Sequence, residues 1–286
     1  MYRRTTLVSL AGVAAVALGA SAAHRTIRGA QTVGGAKPRL VTVTTREFTF
    51  DAPASIPAGV TTLRLVNAGK EPHHLWISRI DSGKTMADVE KAMKSQAPPP
   101  AWIVDVGGPN AVDPGGEARA TLDLAPGTYI FLCAVPSADG VPHIAKGMVK
   151  PLTVTPLAAK PELDAVMPKG DVEITLDDYG FLLDKPLAAG RHTLHVTNRA
   201  GQSHEVAFVK LAPGKTAMDF VEWIEKMAGP PPGALVGGLT GIARGQEAQA
   251  TVDLTPGEYA LLCFVPDATD GKPHFVHGMM RQVSVQ

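Results

Sequence analysis

Residues 40–45 alternate apolar and polar side chains, as do residues 62–66, and Pro- or Gly-containing turns bound both runs. A period of two with such punctuation marks half-buried β-strands. Runs at 74–80, 120–124, 128–133 and 148–154 continue the series, and equivalent runs recur in the second half. About seven short strands per half with turns between them predict a Greek-key β-sandwich. One helix interrupts each half. Thr85 with Asp88 and Thr216 with Asp219 stand at capping-box spacing. The stretches 86–93 and 218–227 then carry apolar residues at helical intervals, and the proline runs 98–100 and 230–232 are expected to end them. The methionines on these helices read as core residues.

The halves are copies of one pattern. VTVTTREFTFDAPASIPAGVTTLRLVN (41–67) aligns without a gap on VEITLDDYGFLLDKPLAAGRHTLHVTN (172–198). The register continues, so that His73 lies over His204, and ARATLDLAPGTYIFLC lies over AQATVDLTPGEYALLC. An internal duplication at this period implies two copies of one fold. The fold expected is all-β: two tandem Greek-key β-sandwich domains, each with one short inserted helix. Their expected bounds are 37–156 and 161–286, with a short linker at 157–160 that implies domains packed together.

Composition narrows the partners. The 286-residue chain has 27 residues of each charge sign, so no electrostatic footprint of nucleic-acid binding exists. The N-terminus, MYRRTTLVSLAGVAAVALGASAAHR, has a basic start, an apolar run too short to span a bilayer, and an A-x-A arrangement at residues 20–22. This pattern predicts a signal peptide at 1–22, followed by a Gly- and Ala-rich leader at 23–36. It places the protein in the periplasm or outside the cell, with no membrane span. Whether the secretory or twin-arginine route is used, and the oligomeric state, are left open.

In an oxidising compartment two cysteines first suggest a disulfide. Here Cys133 and Cys263 fall at the same place in the two copies. A bridge would therefore have to join equivalent positions of separate domains, and metal-bound thiolates explain the pair better. The stretch YIFLCAVPSADGVPHIAKGM (129–148) carries Cys133, His143 and Met148, and YALLCFVPDATDGKPHFVHGM (259–279) carries Cys263, His274 and Met279. His73 and His204, each before a strand, complete the sets. A trigonal His₂Cys group with a weak axial Met is the blue-copper donor set. The Cys-to-His spacing is C-x9-H in one copy and C-x10-H in the other, while H-x4-M is common to both. One extra loop residue costs little. His74, His277 and Met280 are rivals by adjacency; the alignment sets Glu205 over His74 and so selects His73.

At these residues each half resembles a cupredoxin of the plastocyanin and azurin type. The resemblance rests on NAGKEPH (67–73), G-T-Y-x3-C (127–133) and H-x4-M (143–148), with N-x5-H (198–204), G-E-Y-x3-C (257–263) and H-x4-M (274–279) in the second copy. It implies copper, cycling between Cu+ and Cu2+ with two ions per chain, at the loop-rich end of each sandwich. It also implies electron transfer to transient redox protein partners. In related carriers an apolar patch encloses the exposed edge of the second His. Val135, Pro136, Pro142 and Ile144, with Phe264, Val265, Pro266, Pro273 and Phe275, would form it here. The long Cys-to-His loops are nearer those of copper nitrite reductases. However, no His flanks either Cys and no H-x-H pair exists, while His192 and His195 read as surface residues of a strand. The expectation is therefore a carrier and not an enzyme. The alternatives are a copper storage or delivery protein, or a module in which one or both sites are vestigial.

Overall fold

The computed structural model describes residues 37–95, 99–157 and 165–286. The expected signal peptide and leader and nearly all of the expected linker lie outside that set. In the first half β1 (Arg39–Arg46), β2 (Thr49–Asp51), β3 (Ser55–Pro57), β4 (Gly59–Asn67) and β5 (Trp76–Ile80) precede helix α1 (Met86–Lys94). After it come β6 (Ile103–Gly107), β7 (Glu117–Leu124), β8 (Gly127–Leu132) and β9 (Val149–Thr155). The second half repeats this order without a counterpart of β3. It runs β10 (Val172–Asp177), β11 (Gly180–Leu183), β12 (Gly190–Asn198), β13 (His204–Leu211), α2 (Ala217–Lys226), β14 (Gly233–Ile242), β15 (Glu247–Leu254), β16 (Gly257–Leu262) and β17 (Met280–Val285).

Alternation accounts for the strands. Val41, Val43 and Thr45 of β1 are buried, and on β10 Val172, Ile174 and Leu176 are buried between exposed Glu173 and Asp177. β-Branched and aliphatic side chains fit the pleated, half-buried surface. One sheet runs β11–β10–β12–β15–β7–β4–β1–β2, and the other β17–β16–β13–β14–β6–β5–β8–β9–β3. The apolar core lies between them, so the all-β reading with two sandwiches holds.

Both sheets cross from one half into the other. Strand β7 pairs with β15, setting Ala120 opposite Ala250, and β6 meets β14 at Val106 and Ile242. Backbone bonds from Gly237 to Ala111, from Thr240 to Gly108 and from Ala243 to Asp105, each 2.9 Å, extend the junction. The sequence pointed only to packed domains. Gly107 and Gly237, with φ of 103° and 102°, stand at the junction, where a Cβ would come within 3.1 Å of Ile242 or of Ala118 in the other half. At the following residues, Gly108 and Gly238 (φ 139° and 119°), a Cβ would overlap the carbonyl oxygen of Leu75 or of Val206 within the same half, so only glycine fits.

Both capping boxes form, Thr85 with Asp88 and Thr216 with Asp219. The helices stop at caps Ser95 and Met227, ahead of the prolines expected to end them. Val89 of α1 and Phe220 of α2 are buried, but Met218 is 50% exposed, which corrects its assignment to the core. No helix among the described residues is long and apolar enough to cross a membrane.

Candidate metal centre

Each site starts from an asparagine at the end of a strand. The buried Asn67 side chain donates to the carbonyls of Glu71 and Val112, both at 2.9 Å, and accepts from Gly69 N–H at 2.9 Å. These bonds close the loop 67–73 and deliver His73, whose own amide donates to Val112 O. Asn198 repeats the device with Gln202 O, Ile242 O and Ala200 N–H, and delivers His204. The thiol side is set by a tyrosine. Tyr129 is buried and its hydroxyl donates to Ala125 O at 2.8 Å; Tyr259 does the same to Thr255 O at 3.0 Å. This pins β8 and β16, whose next residues are Cys133 and Cys263.

The chain then loops to a 3₁₀ turn, His143–Lys146 or His274–His277, closed by Gly147 or Gly278 in the left-handed region. That glycine turns the chain back so that Met148 or Met279 starts inward. Cys133 N–H donates to Met148 O at 3.2 Å, and Cys263 N–H to Met279 O at 3.3 Å. Both methionines are fully buried beside the cysteines.

The three strong donors converge. Cys133 Sγ lies 3.9 Å from His73 Nδ1 and 3.5 Å from His143 Nδ1, and the two Nδ1 atoms are 3.1 Å apart. In the second half Cys263 Sγ lies 3.8 Å from His204 Nδ1 and 3.3 Å from His274 Nδ1. All six residues are 0% exposed, and neither cysteine is in a disulfide. Burial holds the His73 and His204 imidazoles down at about 4, so each presents a free lone pair at neutral pH. Burial also pushes the Cys133 thiol up to about 12 and the Cys263 thiol well above its usual range. A thiol so placed ionises only against a cation, and two imidazoles with one such sulfur suit copper.

The rivals lie elsewhere. His74 is buried outside the cluster, where its Nε2 accepts the Ala134 amide at 2.7 Å. Glu205, its counterpart, accepts Phe264 N–H at 2.9 Å and bonds Asn110 of the other half. His277 is exposed beside Asp270, and Met280 opens β17. His192 and His195, three apart on β12, are partly exposed and paired with Asp171 and Glu247.

The expected exposed imidazole edge is not found. The turn between β1 and β2 puts Phe48 at φ 59°, its ring 5.2 Å from His143, and the turn between β10 and β11 puts Tyr179 at φ 57°, 5.5 Å from His274. Left-handed backbone is costly for an aromatic residue, and it aims each ring over the site. Phe275 and Val265 are themselves buried, so the proposed patch is partly interior.

No family model matches the chain, and no curated protein matches it. Among solved structures, a reduced auracyanin from Roseiflexus castenholzii is 26% identical, with 42% of this chain and 100% of that chain covered at a TM-score of 0.29. A blue copper oxidase from Nitrosomonas europaea (14% identity, 87% and 86% covered, TM-score 0.25) and a copper-containing nitrite reductase from Thermus scotoductus (12%, 87% and 62%, 0.23) span both halves. Two sandwiches, each with a buried His-Cys-His group at its loop end, define the architecture. The chain has a tandem cupredoxin-like fold.

One expectation is corrected by these neighbours. Structures aligned over 87% of this chain are named as an oxidase and a nitrite reductase, so the exclusion of an enzyme does not stand. The motif argument behind it was also too narrow, because ligands can gather from positions that no H-x-H spacing marks. Asp267, Asp270 and His277 bring their ligand atoms within 4.8 Å of one another. Nothing in their spacing announced this group.

Proposed function

We propose that this tandem cupredoxin is an exported electron-transfer protein holding one type 1 copper in each half. His73, Cys133, His143 and Met148 would hold one ion, and His204, Cys263, His274 and Met279 the other. The reading is carried by the duplicated, fully buried convergence of two Nδ1 atoms on one Sγ. Copper in such a donor set exchanges one electron between Cu+ and Cu2+. The chain's part is to keep the donors fixed and water away: Asn67 and Asn198 clamp the first imidazoles, and Phe48 and Tyr179 cover the second. Donors that stay put in both oxidation states keep reorganisation small. Transient redox partners would reach the covered ends, where Val141 (38%) and Val276 (49%) are exposed apolar residues on the flanking loops. A small interface suits such encounters.

Copper loading followed by visible and EPR spectroscopy tests the reading. An intense Cys-to-Cu(II) charge-transfer band with two coppers per chain is expected, and Cys133→Ala or Cys263→Ala should each remove one site's share. A colourless loaded protein refutes it. Rapid surrender of Cu(I) to a competing chelator would point to metal delivery instead.

A further inference from the structure

The two sites share their donors but differ at three positions around the second imidazole. In the first half Phe48 covers His143, and Glu71 Oε2 lies 2.7 Å from His143 Nε2 while also accepting the Ser137 hydroxyl at 2.7 Å. In the second half the corresponding residues are Tyr179, Gln202 and Asp267. Here the carboxylate has moved to the other partner of the pair, and its bonds are taken. Asp267 Oδ2 accepts the Tyr179 hydroxyl at 2.6 Å and the Gln202 amide at 2.8 Å, and Oδ1 accepts Thr269 N–H at 2.7 Å. His274 Nε2 lies 3.7 Å from Asp267 Oδ2 and, although buried, has no hydrogen-bond partner.

We infer that Glu71 is a positioning residue for His143 that biases the first site toward the oxidised metal relative to the second, so that electrons settle preferentially in the second half. The inference rests on the copper reading above. A carboxylate bonded to the far nitrogen of a ligating imidazole fixes the proton on Nε2, leaves Nδ1 as the donor, and raises its basicity. Stronger donation favours Cu2+ over Cu+, while the carboxylate charge itself is common to both halves. No proton leaves, because the Nε2–H bond persists in both oxidation states. His274 lacks the bond, because the acceptor oxygens of Asp267 are taken by Tyr179, Gln202 and a backbone amide. Tyr179 is therefore what denies the second imidazole its carboxylate, a role that Phe48 cannot play.

Two measurements test this. In the metal-free full chain, ¹⁵N NMR should show His143 as the Nε2–H tautomer, and Glu71→Gln should weaken that preference. In the copper-loaded chain, redox titration should resolve two one-electron potentials, the lower belonging to the site lost in Cys133→Ala. Glu71→Gln should shift the Cu+/Cu2+ ratio of that site about tenfold toward Cu+, equivalent to about 59 mV for one electron, without moving the other. Tyr179→Phe frees Asp267 for His274 and should move the second site the opposite way. Equal potentials in the unmodified protein, or a first site indifferent to Glu71→Gln, overturn the inference while two blue sites uphold the function. Loss of the blue band altogether refutes the copper reading, and the tautomer of His143 then still decides the positioning role.

Discussion

The loop clamp at Asn67 gives the most direct test of how the sequence builds a site. Asn67→Ala removes three hydrogen bonds, to Glu71 O, Val112 O and Gly69 N–H, each 2.9 Å. At about 1 kcal/mol net per bond the loss approaches ~3 kcal/mol. Two features lower it. Val112 O keeps the His73 amide, and water can reach the half-buried Glu71 and Gly69. A loss of about 2 kcal/mol by urea denaturation of the metal-free protein is therefore expected. Asn67→Asp sharpens the test. It preserves shape and the acceptor for Gly69, yet it replaces two donations by a carboxylate facing two carbonyls, so it should destabilise more than alanine does. In the copper-loaded protein either change should diminish the first site's absorption and spare the second, with Asn198→Ala doing the reverse. The reasoning fails if Asn67→Ala costs under about 0.5 kcal/mol, or if aspartate is the better tolerated substitution.

Other outcomes follow from the same contacts. Because burial keeps the Cys133 thiol protonated up to about 12, copper binding must displace its proton at any lower pH. Apparent affinity should then rise about tenfold per pH unit, measured by competition with a chelator of known pH dependence. A flat profile would mean that the thiolate is not a ligand. Gly238→Ala, forced against Val206 O at φ 119°, should destabilise the β13–β14 pairing of the second half by more than about 1 kcal/mol. A lowered thermal midpoint is expected, and an unchanged one would refute the contact. Tyr129→Phe removes only the bond to Ala125 O, so a loss of about 1 kcal/mol with the first site's spectrum intact is expected from denaturation and visible absorption.

What the sequence revealed, and what it hid, divide along physical lines. Alternation on β1 and β10 reports burial of one face, and this was enough to mark strands and a two-sandwich fold. It carries no information about which strand lies alongside, so pairing of β7 with β15 across the halves stayed hidden, although Gly107-Gly108 and Gly237-Gly238 mark the crossing. The donors were legible because a thiolate, two imidazoles and a thioether are rare residue types at repeated spacing. Their covers were not, because Phe48 and Tyr179 reach the site through left-handed turns that non-glycine residues seldom adopt, and no spacing rule signals these.

The least legible feature is also where the two copies have parted. Comparing the halves by residue type alone sets Glu71 against Gln202 and Ser137 against Asp267, which looks like neutral drift between polar residues. In space the two positions face each other, so the pair of changes keeps one carboxylate in each half while changing what it bonds: an imidazole in the first, a tyrosine in the second. Had only one position changed, one half would hold two facing carboxylates or none. The exchange therefore reads as a single coupled substitution that preserves local charge and redirects one hydrogen bond. A chain with two identical donor sets needs some such difference if its two centres are to behave differently.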